Sequence, residues 1–173
     1  MAEYERHTHM FPPVFDNHSK ILILGTFPSV KSREQQFYYG HPQNRFWKTL
    51  AYITNETVPT TIEEKKHLLL NHNIAVWDVI QSCEIIGSSD SSIRNVVPAD
   101  IAGLLKQAPI TAIFGNGKKA CDLFEKYVTP TLCDFAETGT IRPLPSTSPA
   151  NAAWSTARLQ ACWQEKLCPC LNT

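Results

Sequence analysis

Ile21-Leu22-Ile23-Leu24-Gly25 is a continuous apolar run closed by a glycine. Four such side chains with no polar residue between them describe a short strand covered on both faces, as in the middle of a parallel sheet. Working outward, Pro42 opens a helix predicted over residues 43–53, with Phe46, Trp47 and Leu50 as its apolar stripe. Thr60 or Thr61 precedes Glu63 and Glu64, an acidic first turn that starts a second helix running through Leu70. Ile74-Ala75-Val76-Trp77 reads as the next strand. The pattern continues with a helix over 98–107, a strand over 110–114, a helix over 117–127 and a strand over 141–144. A final helix spans 151–167, with Ser148 or Asn151 available as its cap. This alternation predicts an α/β fold of three layers, α/β/α, around a central, mostly parallel four-stranded sheet. Ligands of such folds bind beyond the carboxyl ends of the strands, so the loops beginning at Gly25, Asp78, Gly115 and Pro145 are where function is expected.

The 173 residues, 43% hydrophobic and 18% charged, suit one globular domain over 20–173 behind a polar, Pro-containing lead-in over 1–19. No apolar run approaches the roughly 18 residues that span a bilayer, and the first residues carry no secretory pattern, so a cytoplasmic protein without membrane contact is expected. Six cysteines, at 83, 121, 133, 162, 168 and 170, form no CxxC pair. They read as reduced thiols, and no metal site is expected. Sixteen basic residues balance sixteen acidic ones, which excludes a strongly basic nucleic-acid-binding domain. A local footprint survives within that balance, because Lys31, Arg33, Arg45 and Lys48 face only Glu34 between residues 31 and 48.

Gly25-Thr26-Phe27-Pro28-Ser29 has neither the ending of a phosphate-cradling loop nor a dinucleotide glycine pattern, so no nucleotide cofactor is expected. In Phe37-Tyr38-Tyr39-Gly40-His41-Pro42-Gln43-Asn44-Arg45-Phe46-Trp47, aromatics precede a helix start. Tyr38 and Tyr39 suit either base stacking or loop packing, and Asn44 either a functional amide or a bond to the helix's unpaired backbone donors. Leu144-Pro145-Ser146-Thr147-Ser148-Pro149-Ala150-Asn151 combines stiff backbone with small donors, fit for phosphate oxygens or for an ordinary cap loop.

The segment GTFPSVKSREQQFYYGHPQNRFWKTL resembles the first motif of the uracil-DNA glycosylase superfamily, including the mismatch-specific branch with its GINPG loop and HPxNRFWK. The resemblance is strongest to the hypoxanthine-DNA glycosylase branch, family six. Its pattern runs G[ST]FPS, YY, HPxNxFW, WDV, SIxN, NG and LPSTSPAN. Here Trp77-Asp78-Val79, Ser92-Ile93-Arg94-Asn95, Asn116-Gly117 and residues 144–151 supply the later parts. The match runs from about Ile21 to Asn151.

The resemblance implies a cofactor-free, monomeric, monofunctional enzyme that flips a deaminated base out of DNA and hydrolyses its glycosidic bond. Hypoxanthine is the expected base, with xanthine or uracil as further substrates. Phe27 stands where mismatch-specific relatives carry a water-orienting Asn, and the resemblance moves that duty to Asn44. As a neutral amide, Asn44 positions water or the sugar-base unit and removes no proton. Tyr39 is the implied stacking residue, Asn116 the reader of the base edge, and the backbone at Thr26 and Phe27 the pocket lining. Ser146, Thr147 and Ser148 would hold phosphates, while Pro149 and Asn151 approach the emptied groove. His41 suits either a general acid or a structural role at the helix entrance. Lys118 and Lys119 read as solvated rather than as Schiff-base nucleophiles. Two other readings stay open: a G/U-mismatch uracil-DNA glycosylase, and a DNA- or nucleotide-binding module that keeps the fold without catalysis.

Overall fold

Every side chain of the opening apolar run is fully buried. In the computed structural model, which describes residues 3–135 and 138–172, the strands and helices follow in this order: β1 (Glu5–Thr8), β2 (Ile21–Gly25), α1 (Val30–Gln35), α2 (Phe46–Thr54), α3 (Ile62–Asn71), β3 (Ile74–Asp78), β4 (Ile80–Ile85), β5 (Arg94–Pro98), α4 (Ile101–Gln107), β6 (Ala112–Asn116), α5 (Lys118–Leu123), β7 (Ile141–Leu144) and α6 (Thr156–Leu171). The central sheet has the order β3-β2-β6-β7, and all three of its pairings are parallel. Strand periodicity divides the core in two. Leu22 and Leu24 point to a cluster with Ile101 and Leu104 of α4 and Ala120 and Leu123 of α5. Ile21 and Ile23 point to one with Phe46 and Leu50 of α2, Leu69 of α3 and Trp163 of α6. These are the two outer layers of a three-layer α/β/α fold. Truncating any of these β2 side chains to Ala is a cavity mutation worth about 2–5 kcal/mol.

Local chemistry explains the helix ends. Thr61 accepts from the Glu64 amide and Glu64 reaches back to the Thr61 amide, a reciprocal cap that starts α3 where the acidic pair placed it. Several helix boundaries shift from the sequence expectation. The helix placed at 43 starts at Phe46, because His41 and Asn44 spend the preceding turn bonding to the backbone. The helix placed at 98 starts at Ile101, because Pro98 belongs to β5 and Asp100 is the cap. The last helix starts at Thr156, capped by Ser155 rather than Ser148 or Asn151, and runs on to Leu171.

The larger correction concerns the lead-in. It supplies β1, and His9, Phe11 and Val14 are buried. The strand β1 joins β4 and β5 in a second, antiparallel sheet that lies outside the alternation read from the sequence. The chain crosses from one sheet to the other at Val79, where the Val79 and Ile80 amides donate to the carbonyls of Gly25 and Thr26.

Candidate active site

Gly25, Asp78, Asn116 and Leu144 are the last residues of the four parallel strands. Register sets Gly25 beside Asp78 and Asn116 beside Leu144, so these ends form one level rim. Above it lies a cleft of about 240 Å³, walled by the β2–α2 loop on one side and the β7–α6 loop on the other. The cleft gathers Thr26, Phe27, Tyr39, His41, Asn44, Asn116, Ser146, Thr147, Ser148 and Pro149. Residues up to 124 positions apart in the chain, Gly25 and Pro149, thus meet at one place. Asn151 lies in the adjoining open groove, with Lys118, Lys119 and Lys166.

On the β2–α2 wall, the Phe46 backbone amide donates to Asn44 Oδ1 at 2.9 Å. An N–H can only donate, so this contact fixes which end of the amide is oxygen. The Nδ2 group is left without a hydrogen bond among the described residues. Tyr39 has a backbone φ of 51°, the left-handed region that a bulky aromatic residue rarely occupies. Its ring stacks on Phe46, with centroids 3.9 Å apart and planes 21° from parallel, so only the opposite face is open to a base. The Tyr39 hydroxyl is buried without a partner. Burial, then the Asp78 carboxylate, push its pKa far above the usual phenol range, while the Asn116 amide offsets part of that. Tyr38 is raised for the same first two reasons and donates to the Pro12 carbonyl. Phe27 is buried among apolar residues, so its ring replaces a polar group with core packing. The His41 Nδ1 accepts from the Gln43 amide, which makes His41 part of the turn into α2.

The β7–α6 wall is bolted down. Asn116 Nδ2 donates to the Thr147 hydroxyl at 2.9 Å, and the Thr147 amide donates to Asn116 Oδ1 at 3.0 Å. Thr147 is fully buried, and both functional ends of Asn116 serve this clamp. Asn151 Nδ2 donates to the Ser146 carbonyl, and the Ser148 amide to Ser146 Oγ. Gly117 sits at a φ of +98° with a would-be Cβ 3.2 Å from Ser146 Cβ, so a side chain there meets both strain and the loop. Arg45 was counted in the sequence as part of a basic footprint. Its guanidinium instead donates to the carbonyls of Trp154, Ser148 and Asn151 and ties this wall to the start of α2.

Two residues at the site were given no chemical role in the sequence reading, which took Asp78 only as a strand end and motif position. Asp78 lines the cleft floor, and His9 lies behind it with Nε2 2.8 Å from Asp78 Oδ2. Asp78 was legible as the end of the WDV strand. His9 gave no signal, because its partner lies 69 residues away. At the cleft mouth, Asp90 has its carboxyl raised by the protein displacing water, partly offset by Lys119. Among the described residues no group of three His, Cys, Asp or Glu side chains is placed to hold a metal ion, and no helix is long and apolar enough to cross a membrane.

An α/β protein with a cleft at its parallel strand ends, lined by amides and an aromatic, fits the class of hydrolases that act on N-glycosyl bonds of DNA. The comparisons place it within that class: the profile of the uracil DNA glycosylase superfamily matches residues 12–166, and the chain belongs to that superfamily. The chain is 38% identical over 151 residues to a hypoxanthine DNA glycosylase of Methanosarcina acetivorans, covering 86% of this chain and 90% of the relative. It is 34% identical over 112 residues to a hypoxanthine DNA glycosylase of Methanosarcina barkeri, covering 64% of this chain and 71% of that one. A solution NMR structure of a candidate uracil DNA glycosylase from Methanosarcina acetivorans superposes with a TM-score of 0.74 at 32% identity, over 94% of this chain and 97% of that one.

Proposed function

We propose that the protein is a monofunctional, cytoplasmic DNA glycosylase, active as a monomer, whose main substrate is deoxyinosine and which releases hypoxanthine. The observation that carries this reading is the Asn44 amide at the cleft, its oxygen tied to the Phe46 amide and its Nδ2 unpaired. A nucleotide flipped from the duplex brings its base into the cleft. As the bond from C1′ to the base breaks, the electron pair departs with the base, a water oxygen bonds to C1′, and the water's proton passes through solvent to the departing base. Negative charge grows on the base, and a fixed N–H donor stabilises it without having to reorganise. Asn44 Nδ2 is such a donor. Its oxygen keeps one lone pair for water. The open face of Tyr39 stacks the base, and the hydroxyls of Ser146 and Ser148 contact phosphates.

The monofunctional part rests on the lysines. Lys118 is fully exposed and pairs with Asp122, which raises its pKa and keeps it protonated, the opposite of what a Schiff-base nucleophile needs. Borohydride should therefore trap no protein-DNA adduct.

The decisive experiment is single-turnover base release from duplexes with one deoxyinosine or one deoxyuridine, with Asn44→Ala beside the wild type. Hypoxanthine release that falls by about 10²-fold or more in the variant is the expected result. A variant within threefold of wild type removes Asn44 from the mechanism. Release of uracil alone points to the mismatch-specific activity, and release of neither at enzyme excess leaves a binding module.

A further inference from the structure

His9 comes from the segment before β2, yet its ring is held at both nitrogens directly behind the cleft floor. Nδ1 lies 2.8 Å from the Phe11 carbonyl and Nε2 lies 2.8 Å from Asp78 Oδ2, with the two side chains 1% and 5% exposed. A carbonyl only accepts, so Nδ1 carries a proton. The second contact then also needs one proton, either on Nε2 facing a carboxylate or on Oδ2 facing a neutral imidazole, since two lone pairs would otherwise meet. In both arrangements the other oxygen, Oδ1, carries no hydrogen. It accepts and never donates.

Oδ1 sits at the cleft floor. It lies 2.5 Å from where a Cβ on Gly25 would be, and the unpaired Tyr39 hydroxyl lies 2.9 Å from the same point. The missing side chain at Gly25 is what makes room for both. Among the described residues no hydrogen bond reaches Oδ1.

We propose that His9 is a positioning residue which fixes Asp78 Oδ1 as a permanent acceptor, and that Oδ1 recognises the ring N–H that deamination creates on a base. Adenine presents a ring lone pair beside its amino group. Hypoxanthine presents an N–H beside a carbonyl, and uracil differs from cytosine in the same way. An acceptor therefore attracts the deaminated base and repels its parent. Guanine and thymine carry the same N–H, so Oδ1 sorts against adenine and cytosine only. A buried polar site rejects a ligand that leaves it unpaired far more strongly than an apolar pocket rejects one methylene. This inference rests on the glycosylase reading above and adds the source of its selectivity.

The test uses the full chain and four proteins: wild type, Asp78→Asn, Asp78→Leu and His9→Phe. Rates of hypoxanthine release are read beside the affinity for a deoxyinosine duplex relative to the same duplex with a tetrahydrofuran abasic analogue. In Asp78→Asn the amide N–H donates to His9 Nε2 and leaves its oxygen toward the base, so the variant keeps its rate within about tenfold. Asp78→Leu loses about 10²-fold or more in rate and loses the preference for deoxyinosine over the abasic duplex, whose binding it retains. His9→Phe leaves Asp78 Oδ2 without its partner, so the carboxyl is free to turn and Oδ1 is no longer fixed toward the base. This variant keeps its binding to the abasic duplex and loses about tenfold of the preference for deoxyinosine over it.

Asp78→Leu within threefold of wild type overturns the proposal. So does Asp78→Asn as impaired as Asp78→Leu, which would make the negative charge the requirement. If Asp78→Leu does not fold, the Asp78→Asn rate and the His9→Phe loss of deoxyinosine preference decide. If wild type releases no base, the glycosylase reading fails separately, and the deoxyinosine preference in binding still tests Oδ1.

Discussion

On the β7–α6 side of the cleft, Ser146, Ser148 and Asn151 hydrogen-bond within their own loop, Asn116 and Thr147 clamp each other, and Arg45 takes three carbonyls. On the β2–α2 side, the Tyr39 hydroxyl is buried and unpaired, and Tyr39 sits in left-handed backbone. Asn44 keeps an unpaired Nδ2, and Asp78 Oδ1 waits on the floor between the walls. The two loops are similar in polarity but differ in how much of it is already bonded. The backbone of the β7–α6 loop is held as scaffold, while the Ser146 and Ser148 hydroxyls, which only accept there, keep their protons to donate to phosphate. Unmade bonds and strain are stable only when the surrounding structure holds them, and they mark where a ligand completes the chemistry.

The largest break in this contrast comes from the scaffold side. Arg45→Ala strips three carbonyls of their donor and should cost about 3 kcal/mol in urea denaturation, since bonds to a charged group are the stronger kind. A loss below about 1 kcal/mol would mean the wall stands without its staple. Next in size is an alkaline effect confined to the other wall. Tyr38 and Tyr39 have folded pKa values above that of an unfolded tyrosine, through burial first and Asp78 second. Their stabilising effect is complete below about pH 10 and is lost as pH rises, because the unfolded chain can ionise them and the folded one cannot. Each contributes a fall of about 1.4 kcal/mol per pH unit above that point. Phenolate absorbance should show two of the five tyrosines ionising only with unfolding. Smooth titration of all five would show the wall to be open.

The same contrast explains what the sequence made legible. The central sheet follows from Ile21-Leu22-Ile23-Leu24, because burial on both faces leaves an apolar run that needs no partner to be read. Tyr39, Asn44, Asn116 and the hydroxyl loop were legible through motif and through position at strand ends, and they do meet. The antiparallel sheet was not legible. Glu5-Arg6-His7-Thr8 carries no apolar signal, and it pairs with residues 82–85, far along the chain. The contact between His9 and Asp78 was not legible either, nor was the role of Arg45, whose charge suggested solvent or phosphate while its geometry serves carbonyls. Periodicity reports a residue's burial. It does not report which distant atom completes its hydrogen bond.

Smaller effects sharpen the comparison at single atoms. Tyr39→Phe removes a buried hydroxyl that has no partner, so stability should rise by about 1 kcal/mol, the desolvation cost now avoided. Base release should fall by about tenfold if the hydroxyl bonds to the bound substrate or its water. A gain in stability with unchanged rate would make the hydroxyl a mere defect.

Thr147→Val is the mirror experiment on the satisfied wall. It keeps the shape and the backbone amide bond to Asn116 Oδ1 but deletes the acceptor of Asn116 Nδ2. The expected cost is about 1 kcal/mol of stability with release slowed less than threefold, because a clamp that has lost one of two bonds still holds. A much larger loss of rate at unchanged stability would show that Asn116 leaves its clamp to reach the base edge when DNA binds. In that case the two walls would differ only before the substrate arrives, and satisfaction in the free protein would describe a resting state rather than a division of labour.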